Sequence, residues 1–159
     1  MAKKNVKKFT KYLRIYRVQN WTDEDKKQPK LYLIDSIWPV GVRKERLALQ
    51  GWPKELAPSE ELRKRFQGTS DEPTLGYKEF SAEYQTELDQ RLENGELDEI
   101  LPELKQGLKK THKKIKKKQK KGKSLKKKDK KRGIVLLYTA RDEDNQHAKI
   151  LKKWLKKNL

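Results

Sequence analysis

The chain contains no cysteine. It therefore has no disulfide framework and no thiolate to act as nucleophile or ligand, a usage that fits a reducing compartment. Histidine is nearly absent as well: only His112 and His147 occur, and His112 sits among lysines. No metal-ligating set is expected from so few soft donors. Long apolar runs are also missing. The longest, Ile134 to Tyr138, is far too short to span a bilayer as a helix. The basic start MAKKNVKKFTKY is not followed by the apolar stretch of a signal peptide. A cytoplasmic protein without membrane association is the expectation. Phosphate-binding GxxxxGK, dinucleotide-binding GxGxxG and nucleophile-elbow GxSxG patterns do not occur, so no cofactor is expected.

What is present in excess is lysine, and it is unevenly placed. The formal net charge is +19, yet residues 105–132 alone hold sixteen lysines, one arginine and one aspartate, a net of +16. The remaining 131 residues carry +3. Basicity is thus a property of one segment. That segment should attract nucleic acid weakly and without sequence preference, through Lys113, Lys114, Lys116, Lys117, Lys118, Lys120 and Lys121. It contains no aromatic residue, so stacking on single strands is not available there. A solvated, solubilising loop is the competing reading. Its only aliphatic residues are Leu108, Ile115 and Leu125, a stripe that reads as too thin to bury a helix. The expectation is a partly helical extension that frays around Gly122 to Arg132.

Outside the tract, strand and helix periods alternate. Tyr12 to Val18 and Leu31 to Asp35 read as strands. Pro39 and Gly41 exclude a helix over Ser36 to Val42. Arg43 to Leu49 reads as one or two helical turns, and Gly51-Trp52-Pro53 as a turn. Ser59 is an N-cap candidate, followed by Glu60 and Glu61 where the helix dipole favours anions. Tyr77, Phe80, Tyr84 and Leu88 recur at the helical spacing. IVLLYTA, from Ile134, is the pattern of a strand buried on both faces, and His147 to Leu155 forms a final amphipathic helix. The fold class is α/β: a small, mostly parallel sheet flanked by four or five helices, in a single domain with an extended lysine-rich arm. The expected division is a flexible basic N-terminus (1–10), one α/β domain (11–104 with 133–159) and a helical or disordered insertion (105–132).

Ligands in open α/β sheets bind outside the carboxyl ends of the strands. Asp35 ends one strand and the Arg141–Asp142 pair follows another. Two readings apply. In one, these residues rim a ligand crevice, with Asp35 as base or anchor and Arg141 as an anion clamp. In the other, they form an ion pair between loops, with Asp142 or Asp144 capping the last helix. His147, in the first turn of that helix, is a candidate general acid/base or a packed histidine. Arg43, Lys44, Arg46, Lys54 and Arg63 surround the Trp38-Pro39-Gly41 loop and could grip an anion, or simply be solvated. Trp38 and Trp52 read more readily as loop anchors than as stacking platforms.

The blocks IDSIWPVGV, KERLAL, WPKELAPSEELRKRF, FSAEYQTELD and LLYTARDEDNQHAKILKKWL occur in this order. Together they resemble the YeaO-like family of bacterial proteins, domain of unknown function 488, over about Leu13 to Leu159 apart from the lysine tract. The resemblance implies a small cytoplasmic α/β protein with no assigned reaction. It also implies that the family's motif positions fall on Asp35, Trp38, Pro39, Gly41, Lys44, Trp52, Lys54, Pro58, Ser59, Arg63, Arg141, Asp142 and His147. The family's usual D-R-L-W-P-R-G has Ser36 and Val40 here in place of both arginines, and Gln146 stands where asparagine usually precedes the histidine. The leading expectation is a protein that binds a small anionic or nucleotide-like ligand at the strand ends. The alternatives are a small hydrolase- or transferase-type enzyme, with Asp35 and His147 as acid/base groups and Arg141 as electrophilic support, and an interaction protein without a pocket.

Overall fold

The computed structural model describes residues 7–21, 29–142 and 146–159, except the side chain of Lys128. The expected flexible start over Met1 to Val6 and the candidate cap Asp144 lie outside the described residues. Strands β1 (Leu13–Arg17), β2 (Lys30–Leu33), β3 (Leu49–Gly51) and β4 (Ile134–Tyr138) form one parallel sheet in the order β1-β4-β2-β3. The most apolar run thus takes an interior place. It pairs with β1 from Leu13–Ile134 to Arg17–Tyr138, and with β2 from Lys30–Ile134 to Leu33–Leu137. All five β4 residues are buried. Each such side chain contributes about 1.5–3 kcal/mol on burial, enough to offset an ordering cost of about 1–2 kcal/mol per residue.

Successive strand residues face opposite sides of a sheet, and the two sides are closed differently. Leu13, Tyr32, Ile34, Ile134, Leu136 and Tyr138 belong to the main core. That core also takes in the inner faces of helices α1 (Glu60–Gln67), α2 (Tyr77–Glu93), α3 (Ile100–Lys120) and α5 (His147–Asn158). A single turn, α4 (Lys127–Lys130), precedes β4. On the other side Leu31, Leu33, Val135 and Leu137 meet Leu47 and the partly buried Trp21, Trp38, Val42 and Trp52. Loops and tryptophans cover this side. The connection from β2 to β3, residues 34–48, carries only a 3-10 turn at Lys44–Arg46. Most parallel crossovers use an α-helix; here Pro39 and Gly41 prevent one. Leu49–Gly51, read from sequence as helix end and turn, is an edge strand on β2. Three residues are too few to display a strand period.

The basic tract is more ordered than its composition implies. Helix α3 runs through it to Lys120, with Leu104 and Leu108 fully buried and Ile115 buried behind them. The partner that the sequence reading lacked is the N-terminal segment. Lys8–Tyr12 forms a 3-10 turn with Phe9 and Thr10 buried, packed against α3. The expected fraying over Gly122 to Arg132 is replaced by a clasp on Asp129, the tract's one acid. Its buried carboxylate accepts from Lys118 Nζ at 2.7 Å, Lys126 N at 2.9 Å and Arg132 Nε at 3.1 Å. The Lys118 contact first, then the Lys126 amide and Arg132, hold this carboxyl well below the usual carboxylate range. A depressed folded value means that the clasp's stabilisation is complete above the unfolded value of about 3.9. It is lost as pH falls from there toward the depressed folded value. Asp129→Asn is therefore expected to be less stable than the parent at neutral pH. The gap should close as pH drops below about 4, as read by urea unfolding at a series of pH values.

Candidate functional site

Asp35 follows β2 and Thr139 follows β4, so adjacent parallel strands bring both to the same edge of the sheet. Asp35 Oδ2 accepts from Thr139 N at 3.1 Å and from Thr139 Oγ1. The first residue of α5, His147, closes the group. Its Nε2 lies 3.1 Å from the Ile34 carbonyl oxygen and 3.0 Å from Asp35 Oδ1. Both neighbours are acceptors, so Nε2 carries the ring proton. That N–H is directed at Ile34 O, leaving Asp35 Oδ1 buried beside the ring without a well-aligned donor. Helix α5 is started by Gln146, whose side chain accepts from Lys149 N at 3.1 Å. The cap expected at Asp142 or Asp144 is thus supplied by a neutral amide.

The opposite wall is α1, and α2 fixes its position. Ser59 caps α1 through its hydroxyl oxygen, which accepts from Leu62 N at 3.2 Å. The same hydroxyl donates to Glu87 Oε2 at 2.5 Å. Arg91 donates to the carbonyls of Glu55 and Ala57 at 2.8 and 2.5 Å, and the buried Tyr84 hydroxyl donates to that of Leu56. Tyr84, Glu87 and Arg91 recur at helical spacing on one face of α2. They satisfy the otherwise irregular chain before α1. Sequence reading missed Glu87 and Arg91, although the i,i+4 acid–base pair was visible.

Between these walls lies a cleft of about 500 Å³, lined by residues 35–40, Pro58, Arg63, Phe66, Phe80, Thr139 to Asp142, and His147 among others. Phe66 and Phe80 stack with ring centroids 4.2 Å apart. Arg63 lines the cleft with its Nε buried and unbonded, while its Nη1 donates to Gln67 at 3.2 Å. Arg141 and Asp142 are exposed at the rim. Burial, and after it the Asp142 carboxylate, push the nearby Tyr77 phenol up. Ile37 and Val40 form an apolar lip, Val40 being 98% exposed.

The fold therefore brings together Asp35, His147, Arg141, Trp38, Arg63 and Asp142, and adds Thr139, Phe66 and Phe80. It separates four other candidates. Arg43, Lys44 and Arg46 stand on the 3-10 turn away from the cleft lining, with Arg46 donating to Val18 and Trp21 carbonyls at 3.4 and 3.2 Å. Lys54 lies 4.3 Å from the centroid of the Trp52 ring. Both tryptophans anchor loops: Trp38 Nε1 donates to Val42 O at 2.6 Å and Trp52 Nε1 to Asp35 O at 2.5 Å, with the two rings edge to face. Among the described residues no cluster of histidine and acidic side chains could hold a metal ion, and no helix is long and apolar enough to cross a membrane.

Comparison with known proteins places this architecture. A family model described as the inactive DUF488-N3 subclade matches residues 10–109. The match includes Asp35, Arg63 and α2 but ends before Thr139, Arg141 and His147. The uncharacterized protein YeaO of Escherichia coli (strain K12) is 32% identical over 125 residues, covering 78% of this chain and 81% of that protein. The uncharacterized protein Rv3073c of Mycobacterium tuberculosis is 37% identical over 76 residues, covering 48% of this chain and 59% of that protein. No solved structure gives a significant match. On the family match and the extended similarity to YeaO, the chain belongs to the DUF488/YeaO-like family of bacterial proteins.

Proposed function

We propose that the strand-end cleft binds a small anionic or nucleotide-like ligand and does so without turnover. The observation that carries the reading is Arg63, a guanidinium on the cleft wall whose side-chain bond among the described residues is the one from Nη1 to Gln67. An anion in the cleft would pair with its outer amino groups, with Arg141 closing over it from the rim. The Phe66–Phe80 pair and Trp38 offer apolar surface for the rest of such a ligand, the usual division of labour in small-molecule pockets. Asp35 acts here as an anchor: its Oδ2 is taken by two Thr139 donors, so it is poorly placed to accept a proton from a substrate. The inactive label on the matching family model favours binding in the same direction. The acid/base alternative draws on the 3.0 Å Asp35–His147 approach, which fixes the ring and leaves the Nδ1 lone pair as the base. An interaction protein without a pocket is disfavoured by a cleft of this size.

A thermal-shift screen of the whole protein against nucleotides, phosphosugars and inorganic anions tests the reading. A ligand at about 100 times its Kd adds about 2.7 kcal/mol to native stability. The expected result is a shift abolished by Arg63→Gln and reduced by Arg141→Ala. No shift with any compound, or one indifferent to both substitutions, contradicts the proposal. Product formation that Asp35→Asn abolishes with the fold intact would support the enzyme instead.

A further inference from the structure

The opposite end of the sheet carries a second concavity with a different chemistry. It is a trough of about 510 Å³ whose floor is Gly107, Thr111 and Gly133. One wall is the face of α3 bearing Lys110, Lys113, Lys114 and Lys117, and the other is Lys30 and Arg132 beside the amino ends of β2 and β4. The α3 lysines follow the i, i+3, i+4, i+7 pattern of one helical face and extend over about 10 Å. The two glycines allow close packing beneath it. A Cβ on Gly107 would come within 3.2 Å of Ile134 Cδ1, so α3 lies close against the start of β4. A Cβ on Gly133 would strike the Tyr12 carbonyl oxygen at 2.3 Å. The second wall is held in place. Arg14 Nη2 donates to the carbonyls of Lys131 and Arg132 at 2.7 and 3.1 Å, and Asp129 grips Arg132.

We infer that this trough is a binding site for the phosphate backbone of double-stranded nucleic acid, independent of the strand-end cleft. Six cations line it and no carboxylate does. Among the described residues, its five lysines form no ion pair. Four of these cations share one face of α3, so like charges repel one another along about two helical turns. A polyanion relieves this repulsion and releases counterions as it does so. The lining has no apolar side chain, so it lacks the surface that an interfacial membrane contact buries. It has no aromatic ring either, so it cannot stack the bases of a single strand. The site differs from the one expected from sequence. Lys30, Lys110 and Arg132 enter it, Lys118 is committed to Asp129, and Lys116, Lys120 and Lys121 are not part of the lining.

The test is fluorescence anisotropy of the whole protein with a labelled mixed-sequence duplex, measured across a salt series. The parent is compared with Lys113→Gln/Lys114→Gln/Lys117→Gln, and with a control that removes equal charge from exposed positions on α2 and α5, Lys78→Gln/Lys153→Gln/Lys157→Gln. The trough variant is expected to lose affinity at least about thirtyfold near 100 mM salt, and its log–log salt slope to fall by about 2.7, at roughly 0.9 per lost phosphate contact. The control is expected to keep most of both. Equal losses in the two variants would mean diffuse attraction to net charge and overturn the inference. So would tighter binding to the single strand, absence of binding at low salt, or preferential trough-dependent binding to phosphatidylserine vesicles.

Discussion

Gly133→Ala is expected to be among the most destabilising single-methyl changes available to the chain, costing about 3 kcal/mol or more. Two effects combine. Gly133 holds φ at +114°, a conformation that L side chains rarely adopt. A Cβ there would also lie 2.3 Å from the Tyr12 carbonyl oxygen, a backbone atom at the entrance to β1 that cannot swing aside. Relief would require separating β1 from β4 at the point where their pairing starts, between Leu13 and Ile134. It would also disturb the Lys30 N–H bond to Gly133 O at 3.0 Å, which starts the β2 pairing. Gly122→Ala is the matched control. It too has positive φ, +70°, but nothing within 4 Å of the added methyl. Its cost should be confined to backbone strain of about 1 kcal/mol. Urea unfolding midpoints of the two variants measure the difference, and equal losses would mean that the close approach to Tyr12 is not what requires glycine.

Asp35→Ala carries the other large effect, a loss of about 3 kcal/mol. The carboxylate is only 13% exposed and accepts two bonds from Thr139, one from a backbone amide that has no other partner in view. Hydrogen bonds to a charged acceptor are worth about 1.5–3 kcal/mol each, and a stranded donor adds its own desolvation cost. The His147 N–H retains Ile34 O, so the ring is expected to stay in place while the loop over residues 35–40 loosens. Asp35→Asn should lose less, because its amide oxygen can still accept from Thr139. Its NH2 group, however, would face the Nε2–H of His147, donor against donor. Urea unfolding of both variants should therefore rank them parent, asparagine, alanine. A stability loss within about 0.5 kcal/mol for alanine, the range of ordinary surface changes, would remove Asp35 as the tie between β2 and β4.

The parts of this structure readable from sequence are those in which a local pattern and a tertiary demand coincide. Ile134 to Tyr138 is apolar at every position because both of its faces are buried and both of its edges are paired. Ser59 is visible as a cap because its side chain makes a bond within its own helix turn. Asp35 and His147 are each visible as candidates because they stand where an α/β sheet places polar residues, after a strand and at a helix start, but the expected neighbour of Asp35 is the Arg141–Asp142 pair, and the structure gives it Thr139 and His147 instead. What stayed hidden depends on distant partners. Ile115 looks isolated on a lysine helix, yet it is buried, and α3 is covered on one side by a segment about a hundred residues away in sequence, Lys8–Tyr12. Thr139 gives no sequence signal, since its importance lies in a bond to a carboxylate 104 residues earlier. Leu49–Gly51 is too short to show a period. The basic loop cluster of Arg43, Lys44 and Arg46 is close to Trp38 in sequence but does not line the cleft. The 3-10 turn carries it away from the cleft.

We propose that the two ends of the sheet divide the labour, with a small anion held by Arg63 and Arg141 at the carboxyl ends of the strands. The most direct measurement is a two-dimensional amide NMR titration of the whole protein with inorganic phosphate and with adenosine monophosphate. Perturbed resonances are expected to cluster at Asp35 to Val40, Arg63, Thr139 to Arg141 and His147, and to vanish in Arg63→Gln. Perturbations confined to Lys110 to Lys117 on α3, or none at all, would contradict it.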